Sequence, residues 1–438
     1  MRAVPLLVLL LAAAPLGAGS DWPNWRGPLS SGVSPDTGVP LRWTAVENIV
    51  WKAPLAGVGV SSPIVAGDRV FVTSQIGAGR RQPGSHPRLA QGGGAAGAGE
   101  RALAAVQGAD TLFVVQAFDR KTGALAWEHR TPAVGQLPGV HDKHNMASPS
   151  PVSDGRTVFA WFATGQIMAL GPDGTVVWQR HLGQEIAPFD INWGHSSSPV
   201  LHGNLLILLC DHAPASYLLA LDKTTGRQVW KADRGRGRSS YSTPIVVEVD
   251  GRPEVIVNSS ERVDAYDARD GALLWHVGGS NSFPIPVPSF EDGILYMSRG
   301  YRSGPYMAVR AGGRGDVSRT HVLWEVPTGA PYVSSLIQYR GRVFMANDVG
   351  VLTVIDAKTG RRLWQERTAG VFSASPVAAD GRVYFLSETG ETVVVSAENP
   401  AIIATNDLGD RALASPAIAD GRLFIRTDGF LYAVGSAN

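Results

Sequence analysis

A hairpin that recurs along the whole chain constrains the fold more than any other feature. In VLTVIDAKTGRRLWQE, residues 351–366, Val351, Thr353 and Ile355 alternate along a strand. Asp356 then opens a turn through Lys358, Thr359 and Gly360, and a second strand carries Leu363 and Trp364. A Gly four residues before a Trp returns at Gly123/Trp127, Gly174/Trp178, Gly226/Trp230 and Gly271/Trp275. Trp51 and Trp324 continue the series without the glycine, and Asp119, Asp222 and Asp267 repeat the place of Asp356. One such hairpin cannot bury its own apolar face, so copies in register must stack. Repetition at about 40–50 residues, built from short strands and tight turns, predicts an array of blades.

The start of each unit carries its own mark, a small polar residue before Pro and an alternating strand. It stands at Ser62-Pro63, Ser150-Pro151, Ser198-Pro199, Thr243-Pro244, Ser375-Pro376 and Ser415-Pro416, with variants at Val287-Pro288 and Ser335-Leu336. A glycine turn follows each, from Gly67 to Gly421, so both counts give eight units. The seventh has Ala404 where the indole is expected, which predicts a weaker seam there. The eighth ends at Val434 after three strands, while Asn48 to Trp51 reads as a last strand with no earlier ones before it. The expected fold is therefore all-β: an eight-bladed β-propeller of four-stranded antiparallel blades, its ring closed by an N-terminal strand.

The remaining segments give the expected boundaries. Residues 1–20 have Arg2, an apolar run from Val4 to Leu11 and the small residues Gly17, Ala18, Gly19 and Ser20, the pattern of a signal peptide. Residues 21–47 form an N-terminal arm rich in Trp and Pro, and the propeller runs over 48–438. Within it, residues 76–110 are a Gly/Ala-rich insertion too poor in large apolar residues to build a core, and are expected to be flexible. The one cysteine, Cys210, lies in an apolar run and leaves no intramolecular disulfide for an exported chain. No cysteine follows the leader to carry a lipid, so a periplasmic or secreted protein is expected. With 18% charged residues and a net charge of +1, the chain lacks the basic balance of a nucleic-acid binder, and no later apolar stretch is long enough to span a bilayer.

The Asp-x-x-x-Gly-x-x-x-Trp hairpins, the Ser-Pro strand starts and the eightfold count resemble the pyrroloquinoline-quinone (PQQ)-binding-like β-propeller repeat family over residues 43–434. That resemblance implies docking tryptophans in the last strands, here Trp51, Trp127, Trp178, Trp230, Trp275, Trp324 and Trp364. It also implies one of two functions. Quinoprotein alcohol and glucose dehydrogenases hold PQQ on the axis with Ca²⁺ and use an Asp as base; in the alcohol dehydrogenases adjacent cysteines ring the cofactor, which a single cysteine cannot do. Non-catalytic propellers include the lipoprotein that assists outer-membrane barrel assembly. The family's calcium ligands and catalytic Asp match no position here convincingly, although Asp190 and Asp211 are available carboxylates. A non-catalytic module with no cofactor is therefore expected, monomeric, and binding a protein, peptide or glycan.

Blade order A-B-C-D puts the A-B and C-D turns on one face and the D-A and B-C loops on the other. The first set is uniform, whereas the second holds the irregular polar and aromatic residues, the usual sign of a functional surface. Candidate ligand-binding residues on this funnel face are His144, Trp193, His195, Arg238, Tyr241, Arg302 and Tyr332, with no catalytic or metal-ligating residue assigned. Phe283, Tyr301, Arg299, Asn347 and Asp348 belong to the same loops. The insertion 76–110 is also a B-C loop of this face.

Overall fold

A computed structural model describes residues 20–77, 111–135, 137, 140–141, 143–213, 215–301 and 304–436. The leader, most of the insertion and Arg302 lie outside the described residues. Eight sheets surround one axis, and seven of them have four antiparallel strands. Blade six is representative, with Ile337–Tyr339, Arg342–Ala346, Val351–Asp356 and Arg362–Arg367. In blade eight Ile49–Pro54 pairs antiparallel with Phe430–Val434, so the first strand completes the last sheet and removes the ring's open edge.

The Ser-Pro mark has a structural cause. The backbone N–H of Ser62 donates to the Ser150 hydroxyl, Ser150 to Ser198, and Ser198 to Thr243, each at 2.9 Å. The series resumes as Val287 donates to Ser335, Ser335 to Ser375 and Ser375 to Ser415, at 2.9–3.0 Å. A hydroxyl at each strand start thus satisfies the buried N–H of the blade before it, where an aliphatic residue would leave a donor unpaired. Val287 breaks the series, and there the neighbouring Ser242 hydroxyl donates to the Pro286 carbonyl at 3.0 Å instead.

At the rim the indoles lock each blade to the next. Trp51, Trp127, Trp178, Trp230 and Trp324 donate through Nε1 to Arg120, Pro172, Lys223, Ala268 and Ala357, carbonyls in the C-D turn of the following blade, at 2.8–3.0 Å. The turn glycine serves the preceding blade's indole: a Cβ at Gly123, Gly174, Gly226, Gly271 or Gly360 would come within 2.5–2.8 Å of that ring. Gly and Trp of one repeat therefore belong to two different seams. Trp364 packs beside an apolar cluster shared by blades six and seven.

Two seams depart from the four-stranded, Trp-sealed pattern. Blade four has a fifth strand, because the C-D loop of blade five is long and lays Gly315–Asp316 parallel to Trp275 and His276. With that loop in the usual docking place, the Trp275 indole turns inward and donates to Glu254 of its own blade at 2.7 Å. The seam after blade seven is not left short by Ala404. Trp43 of the arm, 3% exposed, joins the cluster that holds Ala404 and lies 6.4 Å from the Tyr384 ring, with its backbone N–H on Asn406 at 2.9 Å.

The arm also crosses the axis. Trp22 pairs with Val65 of blade one, and the Pro23 carbonyl accepts from Ser153 of blade two. Three residues on, Arg26 donates to Leu336 and Pro376, which lead into blades six and seven, at 3.0 and 2.9 Å. Val33 pairs with Ala378, and Asp36 accepts from the turn at Gly421. Trp25 rests on the apolar cluster of blades four and five. The chain thus plugs the channel from the A-B turn side, with Arg26 reaching into it. Burial lowers the Arg26 guanidinium to about 9, and three backbone carbonyls stand in for the water it has lost.

Candidate functional site

With one end of the channel filled by the arm, the D-A and B-C loops frame the other. Their aromatic residues form a connected arc. Trp193, leading into blade three, lies 6.4 Å from Tyr241 and meets Phe283 edge-on at 4.6 Å. Phe283 meets Tyr301 at 4.9 Å, and Tyr301 meets Tyr332 at 5.4 Å, both T-shaped. Four of the five rings are half-buried, while Tyr241 is buried. The three edge-to-face contacts suit the ring quadrupoles.

The arc is held in place by backbone contacts. Trp193 has φ +65°, a left-handed conformation that costs a bulky residue about 1–3 kcal/mol and survives only where its surroundings enforce it. The Trp193 carbonyl accepts from His141 N–H at 3.2 Å, the Asn192 carbonyl accepts the Tyr241 hydroxyl, and Tyr241 N–H donates to Pro284 at 2.9 Å. Asp348 accepts the backbone N–H groups of Tyr332 and Val333 at 2.9 and 3.2 Å and so fixes the far end of the arc. Burial pushes the Asp348 carboxyl up to about 6, against the pull of those donors and of Lys143.

Lys143, from the loop leading into blade two, reaches Glu388 of blade seven at 2.8 Å, with blades eight and one between them. Both side chains are largely buried, and Ser373 donates to the same Glu388 oxygen. This pair spans the mouth of the channel beside the arc.

The histidines lie lower. His195 is 1% exposed, 4.2 Å from the Trp161 ring and 5.1 Å from Phe189, so it sits beneath the face and does not line it. Burial, together with His212 and His144, holds its imidazole well below the usual range. His212 is fully buried against Phe189 and is also lowered by burial. His144 is half-buried, and a Cβ on Gly194 would come 3.3 Å from its ring. His195 and His212 are thus favoured as neutral rings by burial, with His144 close to His195.

The arginines are tied into seams. Arg234 and Asp211, both fully buried, form a two-point pair at 2.7 and 2.9 Å, and Arg234, Arg238 and Arg262 converge on Asp264 at 3.1, 2.7 and 2.7 Å. Arg238 therefore braces blades three and four rather than facing a ligand. Arg299 donates to Asn258 and to the Ser259 and Gly279 carbonyls, joining blades four and five; burial lowers it to about 10. Of the candidate residues, Trp193, Tyr241 and Tyr332 come together in one arc. Phe283 and Tyr301 complete it, and their positions in the same loops were the signal for them. Glu388 had such a signal too, two residues past the second strand of blade seven, whereas nothing in the sequence of the arm pointed to Arg26 on the axis.

These residues do not fit PQQ with calcium. Asp211 is fully engaged by Arg234 and Ser259, the Lys143–Glu388 pair spans the axial mouth, and Asp190 is exposed in a loop that bridges to Ala213. Among the described residues no three His, Cys, Asp or Glu side chains stand where they could share a metal ion.

Comparison with known proteins gives three results. The profile of the family described as outer membrane protein assembly factor BamB matches residues 43–186, 111–284, 259–371 and 350–437. Tetrathionate hydrolase of Acidithiobacillus ferrooxidans is 24% identical over 266 residues, 57% of this chain and 48% of that protein, so the chain spans about half the length of that relative. Among solved structures, BamB from Moraxella catarrhalis aligns with a TM-score of 0.55 at 16% identity, covering 73% of this chain and 90% of that one. A europium-containing methanol dehydrogenase aligns with a TM-score of 0.50 at 12% identity, covering 94% and 90%. At these identities the structural likeness is one of fold, which binding proteins and dehydrogenases share.

Proposed function

The chain belongs to the PQQ-like propeller family described as outer membrane protein assembly factor BamB, and from that premise we propose that it is a non-catalytic scaffold that captures a segment of another protein. The observation that carries this reading is the arc of Trp193, Tyr241, Phe283, Tyr301 and Tyr332, concentrated on the one face whose loops vary. Aromatic rings presented by rigid blades give large contact area with little side-chain entropy to lose. The name of the BamB relatives supports a protein as the partner, and the poor fit to PQQ and calcium weighs against the dehydrogenase reading. Residues 1–20 act as the export signal, 21–47 as the plugging arm and 48–438 as the propeller, with 76–110 as an insertion in a loop of the binding face. The protein then works as a monomer in the periplasm or outside the cell. Among the described residues no helix is long and apolar enough to cross a membrane.

The test uses an unfolded outer-membrane β-barrel polypeptide held in dilute urea as the probe, titrated into the full chain by thermophoresis. Saturable binding that weakens about tenfold or more in Trp193→Ala and Phe283→Ala, with an unchanged melting temperature, is expected. Dye reduction by an alcohol or aldose after addition of PQQ and Ca²⁺ would overturn the reading in favour of a dehydrogenase.

A further inference from the structure

Resting on the reading of this face as the binding surface, we infer that the histidines buried beneath it are a pH switch: at neutral pH they hold the loop from Phe189 to His195, and with it Trp193, and in acid they release it. His195 is the centre of the device. Its ring lies 4.2 Å from Trp161 of blade two and 5.1 Å from Phe189, and His212 of blade three lies 4.3 Å from the same Phe189 ring. Phe189 thus joins two imidazoles from neighbouring blades. Around His195 stand Trp161, Phe189, His212 and His144, and the Ser197 backbone is the one group that favours a charged ring. Around His212 stand the Ala213 carbonyl, 3.1 Å from Nδ1, the Tyr217 ring at 5.9 Å with Cys210 behind it, and the carboxylates Asp211 and Asp190. Burial keeps Tyr217 and Cys210 protonated. Asp211 is already held by Arg234 and Ser259, and Asp190 is exposed. Among the described residues, then, no carboxylate is placed to pair with a charged His195.

A proton on His195 therefore places a charge among aromatic rings, in a site 1% open to water. Cation–π contact with Trp161 offsets part of the cost, but a buried charge without a counter-ion is disfavoured, and a second proton on His212 adds like-charge repulsion. The loop is the part that can yield. Trp161 lies in a blade strand, Val158–Trp161, within its sheet ladder, whereas residues 189–195 follow the short helix Leu182–Glu185 and lie outside every strand. The loop is tied to the face by the Ala213 N–H on Asp190 at 2.9 Å, the His141 N–H on Trp193 at 3.2 Å and the Tyr241 hydroxyl on Asn192. Letting go also relieves the left-handed backbone at Trp193. Below pH ~6.5, each imidazole that is charged in the open loop and neutral in the closed one multiplies the opening constant about tenfold per pH unit. Two of them give up to about 1,000-fold between pH 6.5 and 5. Trp193 makes two of the four ring contacts of the arc, so opening dismantles that end of it.

Hydrogen exchange of the full chain between pH 7.5 and 5, read by mass spectrometry and corrected for the intrinsic pH dependence of exchange, tests the switch without any ligand. Protection of the His141, Gly194 and Ala213 amides, whose bonds close the loop, should fall about tenfold or more, while the strands of blade six keep theirs. His195→Phe keeps an aromatic ring in the site and cannot take a proton, so it should shrink the step, and His195→Phe/His212→Phe should remove it. His195→Gln should shrink it too, which makes the result independent of how one substitution packs. Acid loss of protection spread evenly over all blades, no change at these amides, or an undiminished step in the double variant would each overturn the inference. The unfolded barrel polypeptide should bind about tenfold or more weakly at pH 5 than at pH 7.5, and the double variant should lose that difference. Binding that ignores pH although the exchange step is present would overturn the link between switch and face. If the polypeptide binds at neither pH while the exchange step is present, the scaffold reading fails and the switch stands; if it binds and the step is absent, the switch alone fails.

Discussion

Changing Gly271 and Trp230 singly and together tests whether the turn glycine of one repeat exists for the indole of the repeat before it. Gly271 has φ +76°, and a Cβ there would sit 2.6 Å from the Trp230 ring, which is 8% exposed and anchored through Nε1 to the Ala268 carbonyl at 3.0 Å. Gly271→Ala should therefore carry two costs, about 1–2 kcal/mol for a left-handed alanine and about 1–3 kcal/mol for overpacking against a ring that cannot retreat. Trp230→Ala alone should cost about 3–5 kcal/mol, from the lost apolar contact and the orphaned carbonyl. In the double variant the clash disappears and only the backbone strain remains, so the two changes should couple by about 1–3 kcal/mol. Urea unfolding followed by fluorescence and far-UV circular dichroism gives the four stabilities, with agreement of the two probes checking the two-state assumption. Additivity within about 0.5 kcal/mol would refute the shared seam.

Trp43→Ala, although outside every repeat, should destabilise by about 3–5 kcal/mol, as a docking tryptophan would, and speed hydrogen exchange around Ala404; an effect below about 1 kcal/mol would mean the arm does not seal blade seven. Asp211→Asn should cost about 3–5 kcal/mol in denaturant titration, because it leaves Arg234 charged and short of its partner in a fully buried site. His195 and His212 have folded pKa values below the unfolded value of about 6.5, so the unfolded chain binds protons first. Stability should hold above pH ~6.5 and fall below it, by up to about 1.4 kcal/mol per pH unit for each histidine, and His195→Gln should flatten that slope. Asp348 works in the opposite sense. Raised to about 6, its contribution is fully present below its unfolded pKa and is lost as pH rises through 6. Asp348→Asn should remove that pH dependence while lowering the melting temperature at pH 4, because an amide can accept only one of the Tyr332 and Val333 N–H groups.

The propeller was legible because its signals are local and repeated. A Ser before Pro, a Gly in a turn and a Trp four residues later each report a contact made in every blade, and eight copies fix the count. Exceptions were harder to read, since they depend on what a distant segment does. Ala404 looked like a defect because nothing in blade seven says that Trp43, more than 300 residues earlier, fills its place. The fifth strand on blade four arises in the loop of blade five, where the Asp-x-x-x-Gly turn is missing. At the site, loop position grouped Trp193, Tyr241 and Tyr332, which the structure brings into one arc. His195 and Arg238 were placed with them by sequence position alone, which does not say whether a side chain turns toward the solvent or back into a seam. Burial against Trp161 and pairing with Asp264 decided both.

Hydroxyl-radical footprinting of the full chain, with and without the unfolded barrel polypeptide, tests the central claim most directly, because it reads every aromatic side chain at once. The account predicts protection of Trp193, Phe283, Tyr301 and Tyr332, with the rim indoles Trp127, Trp178 and Trp324 unchanged. Protection confined to those rim indoles, or none at the arc at saturating polypeptide, would contradict it.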